Sequence, residues 1–119
     1  MTKNKLQRFA EIEGFGNVIQ PPIKIHCLDD FMYKGCWSKK FFNNDFPVTL
    51  ELGCGKGEYT IGLAQRNSRM NFIGMDIKGD RLWKGSKTAL ELGLKNVAFL
   101  RSPIENIEYF FSKGEVCEI

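Results

Sequence analysis

The sequence predicts an α/β fold, with strands and helices alternating around a parallel sheet. Three observations predict it. Between Pro47 and Asp76, in PVTLELGCGKGEYTIGLAQRNSRMNFIGMD, two runs of β-forming residues flank an amphipathic stretch. Each run closes on an acid, Glu51 in the first and Asp76 in the second. A glycine-dense turn, Gly53-Cys54-Gly55-Lys56-Gly57, leads from the first run into the amphipathic stretch. Strand, glycine loop, helix, strand and acid, in that order, open a nucleotide-type ligand site in a doubly wound, Rossmann-like fold.

The elements follow in order. Lys3, Lys5 and Arg8 precede the first acid, Glu11. Such a start reads either as a frayed, solvated terminus or as a basic arm that touches phosphate. From Gly14 to Phe46 no period is sustained, and Pro21-Pro22 blocks helix. Phe31, Tyr33, Trp37, Phe41, Phe42 and Phe46 are interleaved there with Lys34, Lys39 and Lys40. Either these aromatics pack on the α/β core, with a helical turn near Ser38 to Phe42, or they form a base-stacking surface.

A strand is expected from Val48 to Leu52. The helix after it runs from Glu58, an acid in a first turn, to Arg66, and turns Ile61, Leu63 and Ala64 toward the sheet. A second strand covers Asn71 to Met75. Asp80 is expected to cap the next helix, which runs to Leu92 and stops at the C′ glycine Gly93, with Leu82, Trp83, Ser86, Ala89 and Leu90 on its buried side. Lys78, Arg81, Lys84 and Lys87 form a basic band around its first turns, a solvated face or an RNA-facing one. Val97 to Leu100 reads as a third strand, Ile104 to Phe111 as a short helix, and Val116 to Ile119 as the start of a fourth strand. This alternation implies right-handed crossovers and a parallel sheet.

Bulk properties narrow the classes. With 119 residues the chain holds at most one domain, and a net charge of +3 is too small to imply nucleic acid by itself. Cys27, Cys36, Cys54 and Cys117 form no CxxC pair, and His26 beside Cys27 is not a metal site alone, so no metal is expected. Reduced cysteines in a cytoplasmic protein are the expectation. No apolar run approaches the roughly 20 residues that span a bilayer, so no membrane partner is expected.

The loop itself points to a ligand. A dinucleotide loop has the spacing GxGxxG, whereas here the third glycine comes one residue early. A pyrophosphate wants uncharged backbone donors, and Glu51 is poorly suited to it. That acid suits the ammonium and sulfonium of S-adenosylmethionine. Gly53, Gly55 and Gly57 would let such a ligand approach the backbone. Asp76 lies 19 positions after Gly57, where a carboxylate accepts hydrogen bonds from ribose hydroxyls. Ser102 and Pro103, after the third strand, would lie beside the adenine. Tight turns and a capping acid serving another ligand remain the alternative.

These residues resemble the first motifs of class I S-adenosylmethionine-dependent methyltransferases. FIGMDIKGDRLWKGSKTALELGLKNVAFLR, followed by IENIEYFFSKGEV, resembles the bacterial tRNA (guanine-N7)-methyltransferase family, and KNKLQRFAEIEGFGNVIQPP resembles that family's start. The resemblance implies a class I methyltransferase fold, here the N-terminal, cofactor-binding half of its doubly wound sheet. Residues 47–119 would form a partial S-adenosylmethionine-binding domain and residues 1–46 a basic, aromatic N-terminal extension. It implies methyl transfer to N7 of the variable-loop guanine of tRNA, with Glu51, Asp76 and the three loop glycines on the cofactor and Lys3, Lys5 and Arg8 on tRNA. The family's adenine-side acid falls at or beside Pro103, where the Ser102 hydroxyl, the Ile104 N–H or Glu105 would substitute.

The family's catalytic Asp lies in a Phe-Pro-Asp-Pro segment beyond the position of Ile119, so the resemblance assigns no catalytic residue to this chain. The expectation is an inactive N-terminal fragment whose first strand lacks its fourth-strand neighbour. The alternatives are a class I methyltransferase of another substrate and a non-catalytic RNA- or cofactor-binding remnant. Oligomeric state leaves no signal in the sequence.

Overall fold

The computed structural model describes residues 3–21 and 31–119. His26, Cys27 and Pro22 lie outside the described residues. The chain opens with helix α1 (Lys5–Ile12). The Asn4 side chain accepts from the Gln7 N–H, and the Gln7 side chain accepts from the Asn4 N–H, each at 2.9 Å. This reciprocal cap satisfies donors that would otherwise fray the helix. A frayed terminus is therefore not what forms.

A two-residue strand, β1 (Val18–Ile19), follows, and then a π-helical segment, Trp37–Phe42, where a helical turn is expected. The remaining elements are β2 (Val48–Leu52), α2 (Glu58–Arg66), β3 (Asn71–Asp76), α3 (Gly79–Glu91) and β4 (Val97–Arg101). A 3₁₀ turn (Ile104–Asn106), α4 (Ile107–Phe110) and β5 (Val116–Glu118) complete the described chain.

All strand pairs are parallel and the order is β1-β4-β3-β2-β5. From β2 through β3 to β4 the chain steps one way, which puts α2 and α3 on one face of the sheet. After β4 it doubles back past the other face and lays β5 against the far side of β2. The direction of winding thus reverses between β2 and β5, the place where open α/β sheets bind ligands beyond their strand ends. The expectation that β2 lacks its neighbour is corrected here. Val48 pairs with Val116, and after a register shift Thr49 pairs with Glu118.

Two cores sandwich the sheet. Leu50, Ile73, Met75, Ala98 and Leu100 point to one face, where Trp37, Phe42, Phe110 and Phe111 cover them. Phe72, Val97 and Phe99 point to the other, under Ile61 and Ala64 of α2 and Leu82 and Ala89 of α3. Trp37 is wholly buried, stacks on Phe111 and donates its Nε1–H to the Phe110 carbonyl at 2.8 Å. Phe31, Tyr33, Trp37, Phe41 and Phe42 therefore pack on the core and do not form a base-stacking surface.

Two local expectations change. Asp80 does not cap α3: the helix begins at Gly79 after Lys78, with no side-chain cap, and Asp80 sits within the first turn. A Cβ at position 79 would lie 2.8 Å from Arg101 Cζ and 3.0 Å from Phe9 Cε1, so any other residue there would have to displace those two side chains. Leu90 is exposed instead of packed. The stop at Gly93 is as expected. With φ +69, its N–H bonds the Leu90 carbonyl, and the Leu94 N–H bonds the Ala89 carbonyl.

Candidate functional site

The site is assembled at the C-terminal ends of β2 and β3, which pair side by side. Strand alternation sends Leu50 into the core and Glu51 to the opposite face, where it is half-buried. Thr60, buried in the first turn of α2, donates its hydroxyl to Glu51 Oε2. Asp76 ends β3 with 9% of its surface exposed. Its Oδ2 accepts the Gly55 N–H at 2.9 Å and its Oδ1 the Lys78 N–H at 3.0 Å. Both carboxylates are thus held in fixed orientations by neighbouring donors.

The loop between them is pinned by its own backbone. The N–H groups of Gly53 and Cys54 both reach the Met75 carbonyl, at 2.7 and 3.2 Å. Gly53, Gly55 and Gly57 all have positive φ, at 67°, 57° and 75°. Side chains at Gly53 or Gly55 would project into open space, since nothing lies within 4 Å of a Cβ built there. That space is free for a ligand lying on the backbone. Gly57 differs, because a Cβ there would sit 2.6 Å from Phe99 Cε1. It is the packing glycine of the three.

Cys54 reports on the electrostatics. Its thiol is buried against Gly74 and pushed up to about 12, first by burial and then by the charges of Asp76 and Glu51. Both acids therefore act on one point in the loop. Neither has an ion-pair partner among the described residues, where the one salt bridge joins Lys3 to Glu11. A pyrophosphate laid here would meet two carboxylates, whereas a cationic ligand would be attracted by both. The residues present fit a ligand with a ribose and a positively charged end.

A cavity of about 260 Å³ lies beside Ile77, the residue after Asp76. It is lined by Gln20, Pro21, Ile77 and Arg101, with Ser102, Pro103 and Asn106. The Ser102 N–H bonds the Asp76 carbonyl at 3.0 Å, while its hydroxyl donates to the Pro103 carbonyl at 3.2 Å. Arg101 donates to the Ile77 carbonyl and to Gln20 Oε1, at 3.1 and 2.9 Å. Glu105 is exposed. Glu51, Gly53, Gly55, Gly57 and Asp76 thus gather around one loop, and Ser102 and Pro103 line the adjoining cavity.

The basic residues gather elsewhere. A cleft of about 510 Å³ is lined by Lys3 and Arg8, by Lys56 of the loop, and by Asp80, Arg81, Trp83, Lys84 and Lys87 of α3. Lys5 is exposed and does not line it, nor does Lys78.

Sequence reasoning missed Thr60, Gln20, Lys56 and Gly85. An interior helix glycine such as Gly85 costs about 1 kcal/mol relative to alanine, which signals a close approach. The approach is by the loop: a Cβ at position 85 would lie 2.5 Å from the Lys56 carbonyl oxygen. Thr60 carries no such signal, because its role depends on a partner nine residues away.

Among the described residues, no group of His, Cys, Asp and Glu is arranged to hold a metal, and no helix is long and apolar enough to cross a membrane.

Comparison with known proteins bears on this geometry. A tRNA (guanine-N(7)-)-methyltransferase of Christiangramia forsetii is 60% identical over 99% of this chain and 53% of its own length. A protein of the same name from Bacteroides thetaiotaomicron is 50% identical over 100% of this chain and 47% of its own. The chain thus spans about half the length of the curated relatives it matches. Among solved structures, the plantazolicin methyltransferase BamL, in complex with a triazolic desmethylPZN analog and SAH, aligns with a TM-score of 0.49 and 30% identity over 66% of this chain and 27% of its own. The family model described as "Putative methyltransferase" matches residues 45–119, from just before β2 through β5. That span is more than half of the chain, and the protein belongs to this methyltransferase family.

Proposed function

We propose that the protein is an S-adenosylmethionine-dependent methyltransferase acting on N7 of the variable-loop guanine of tRNA, and that this chain supplies its cofactor-holding side. One observation carries the reading: two oriented carboxylates, Glu51 and Asp76, end adjacent strands around a glycine loop whose backbone is open to a ligand. The 60% identity to a relative named for that activity supports the choice of substrate.

S-adenosylmethionine, when bound, supplies an electrophilic methyl on a sulfonium. Asp76, with one N–H on each oxygen, keeps lone pairs for the ribose hydroxyls. Glu51, fixed by Thr60, offers its charge to the ammonium end. Gly53 and Gly55 form the floor, Gly57 packs the loop onto Phe99 beneath it, and Ser102 and Pro103 border the adenine. Guanine N7 carries no proton, so its attack needs no general base. What the protein contributes is orientation and the placement of charge.

Lys3, Lys5 and Arg8 belong to the tRNA-contacting side of the reading, in the N-terminal extension of residues 1–46, with the cofactor domain in residues 47–119. A cytoplasmic location fits a tRNA substrate and the free Cys36, Cys54 and Cys117. Because the relatives are about twice as long, turnover is assigned to the protein over that full length, and cofactor binding to this chain.

The test uses labelled methyl donor and unmodified tRNA. The 119-residue chain is expected to bind S-adenosylhomocysteine in calorimetry without labelling tRNA, and the protein at the length of its relatives to label guanine N7. Failure to bind S-adenosylhomocysteine, or label in an acceptor other than tRNA, overturns the reading. Turnover by the 119-residue chain overturns its restriction to the cofactor side.

A further inference from the structure

We propose that the cleft between α1 and α3 is a phosphate site for the RNA backbone, formed by Lys56, Arg81, Lys84 and Lys87 with Arg8. The proposal rests on the tRNA reading and names where that partner would be held.

The cations arrive from three separate parts of the chain. Arg8 comes from α1, Lys56 from the glycine loop, and Arg81, Lys84 and Lys87 from successive turns of α3. The acid lining the same cleft is Asp80. Lys3 already pairs with Glu11, but Lys56, Arg81, Lys84 and Lys87 have no ion pair among the described residues. Concentrating like charges in a concavity raises the local potential and opposes folding, and a polyanion relieves the repulsion.

Trp83 organises the floor. Its ring lies under the Arg8 guanidinium at 4.7 Å and the Lys87 ammonium at 4.9 Å, and its Nε1–H is fixed by Glu11 Oε1 at 3.1 Å. Arg8 is therefore positioned by stacking instead of by an acid, and its Nε is buried without an acceptor. Stacked cations keep their charge available to an anion. A concave cleft admits the ridge of a nucleic-acid strand, whereas a flat bilayer surface cannot enter it.

The experiment compares tRNA binding over a range of salt for the wild-type chain and for Arg81→Gln, Lys84→Gln and Lys87→Gln combined, with S-adenosylhomocysteine calorimetry on both. Each phosphate contact contributes about 0.7–0.9 to the slope of log affinity against log salt, so the variant should lose roughly 2 to 3 of that slope. Its S-adenosylhomocysteine affinity should stay within about twofold, because none of the three residues belongs to the cofactor site. An unchanged slope with tRNA binding intact overturns the cleft and leaves the tRNA reading standing. Binding of phosphatidylglycerol vesicles without binding of tRNA also overturns it. If the triple variant loses both ligands, it has not folded. Lys84→Gln alone, at an exposed position, then decides: a slope reduced by about 1 supports the site, and no reduction overturns it. A wild-type chain that binds neither tRNA nor S-adenosylhomocysteine overturns the functional reading and the cleft together.

Discussion

The Gly55 N–H donates to Asp76 Oδ2 over 2.9 Å, so the middle glycine of the loop holds the acid that ends β3. With the Lys78 N–H on Oδ1, the carboxylate is fixed at both oxygens before any ligand arrives. Loop and acid act as one unit. A ligand that bonds Asp76 therefore meets a carboxylate whose rotamer freedom is already lost, which lowers the cost of binding.

Asp76→Asn tests that unit. An amide can accept on one side only, so its NH₂ must face either the Gly55 or the Lys78 donor. Hydrogen bonds to charged groups contribute about 1.5–3 kcal/mol, so S-adenosylhomocysteine affinity should fall by about 10- to 100-fold in calorimetry. Asp76→Ala should fall at least as far. Unchanged affinity in both variants would reject Asp76 as the ribose ligand.

Gly85→Ala provides a test of the loop's seat on α3. Inside an ordinary helix this change stabilises, because glycine costs more backbone entropy than alanine. Here the added Cβ would meet the Lys56 carbonyl oxygen at 2.5 Å and Phe99 Cζ at 3.1 Å, so backbone must move. The expected outcome is a loss of about 2 kcal/mol in urea unfolding and a weaker hold on S-adenosylhomocysteine. A variant as stable as the wild type would mean that the loop yields without cost.

Much of this was legible because local pattern and tertiary role coincide. β2, β3 and β4 are β-forming runs, and the amphipathic faces of α2 and α3 match the side of the sheet they cover. The glycine loop was readable from spacing and from the acids flanking it. What escaped depends on distant partners. β1 is two residues long and is secured by the Asn17 carbonyl on the Phe99 N–H and by Asn17 Nδ2 on the Ser86 carbonyl. α1 carried a readable signal in the Asn4 and Gln7 spacing, but its docking on Trp83 is a contact across more than 70 positions. Asp80 looked like a cap because it is an acid ahead of an amphipathic run. The helix starts one residue earlier, at Gly79, which packs closely against the side chains of Arg101 and Phe9.

Cys54 makes a prediction with a definite sign. Unfolded, its thiol ionises near its ordinary value of 9.0, whereas in the folded protein it is pushed up to about 12, by burial first and by Asp76 and Glu51 second. Between those values the folded chain binds more protons than the unfolded one, so stability must fall as pH rises. The contribution is complete below about pH 9 and is lost progressively toward pH 12, at no more than ~1.4 kcal/mol per pH unit. Other groups titrate in the same window, so the measurement is the difference between wild type and Cys54→Ala. Across urea midpoints taken at pH 8, 9.5 and 10.5, the wild type should lose stability relative to Cys54→Ala as pH rises. Alkylation gives an independent check. At about pH 8.5 the exposed Cys117 should react with iodoacetamide before the buried Cys54. Equal labelling of the two would mean that Cys54 is neither buried nor under the field of the two carboxylates, and the arrangement of acids around the loop would have to be redrawn.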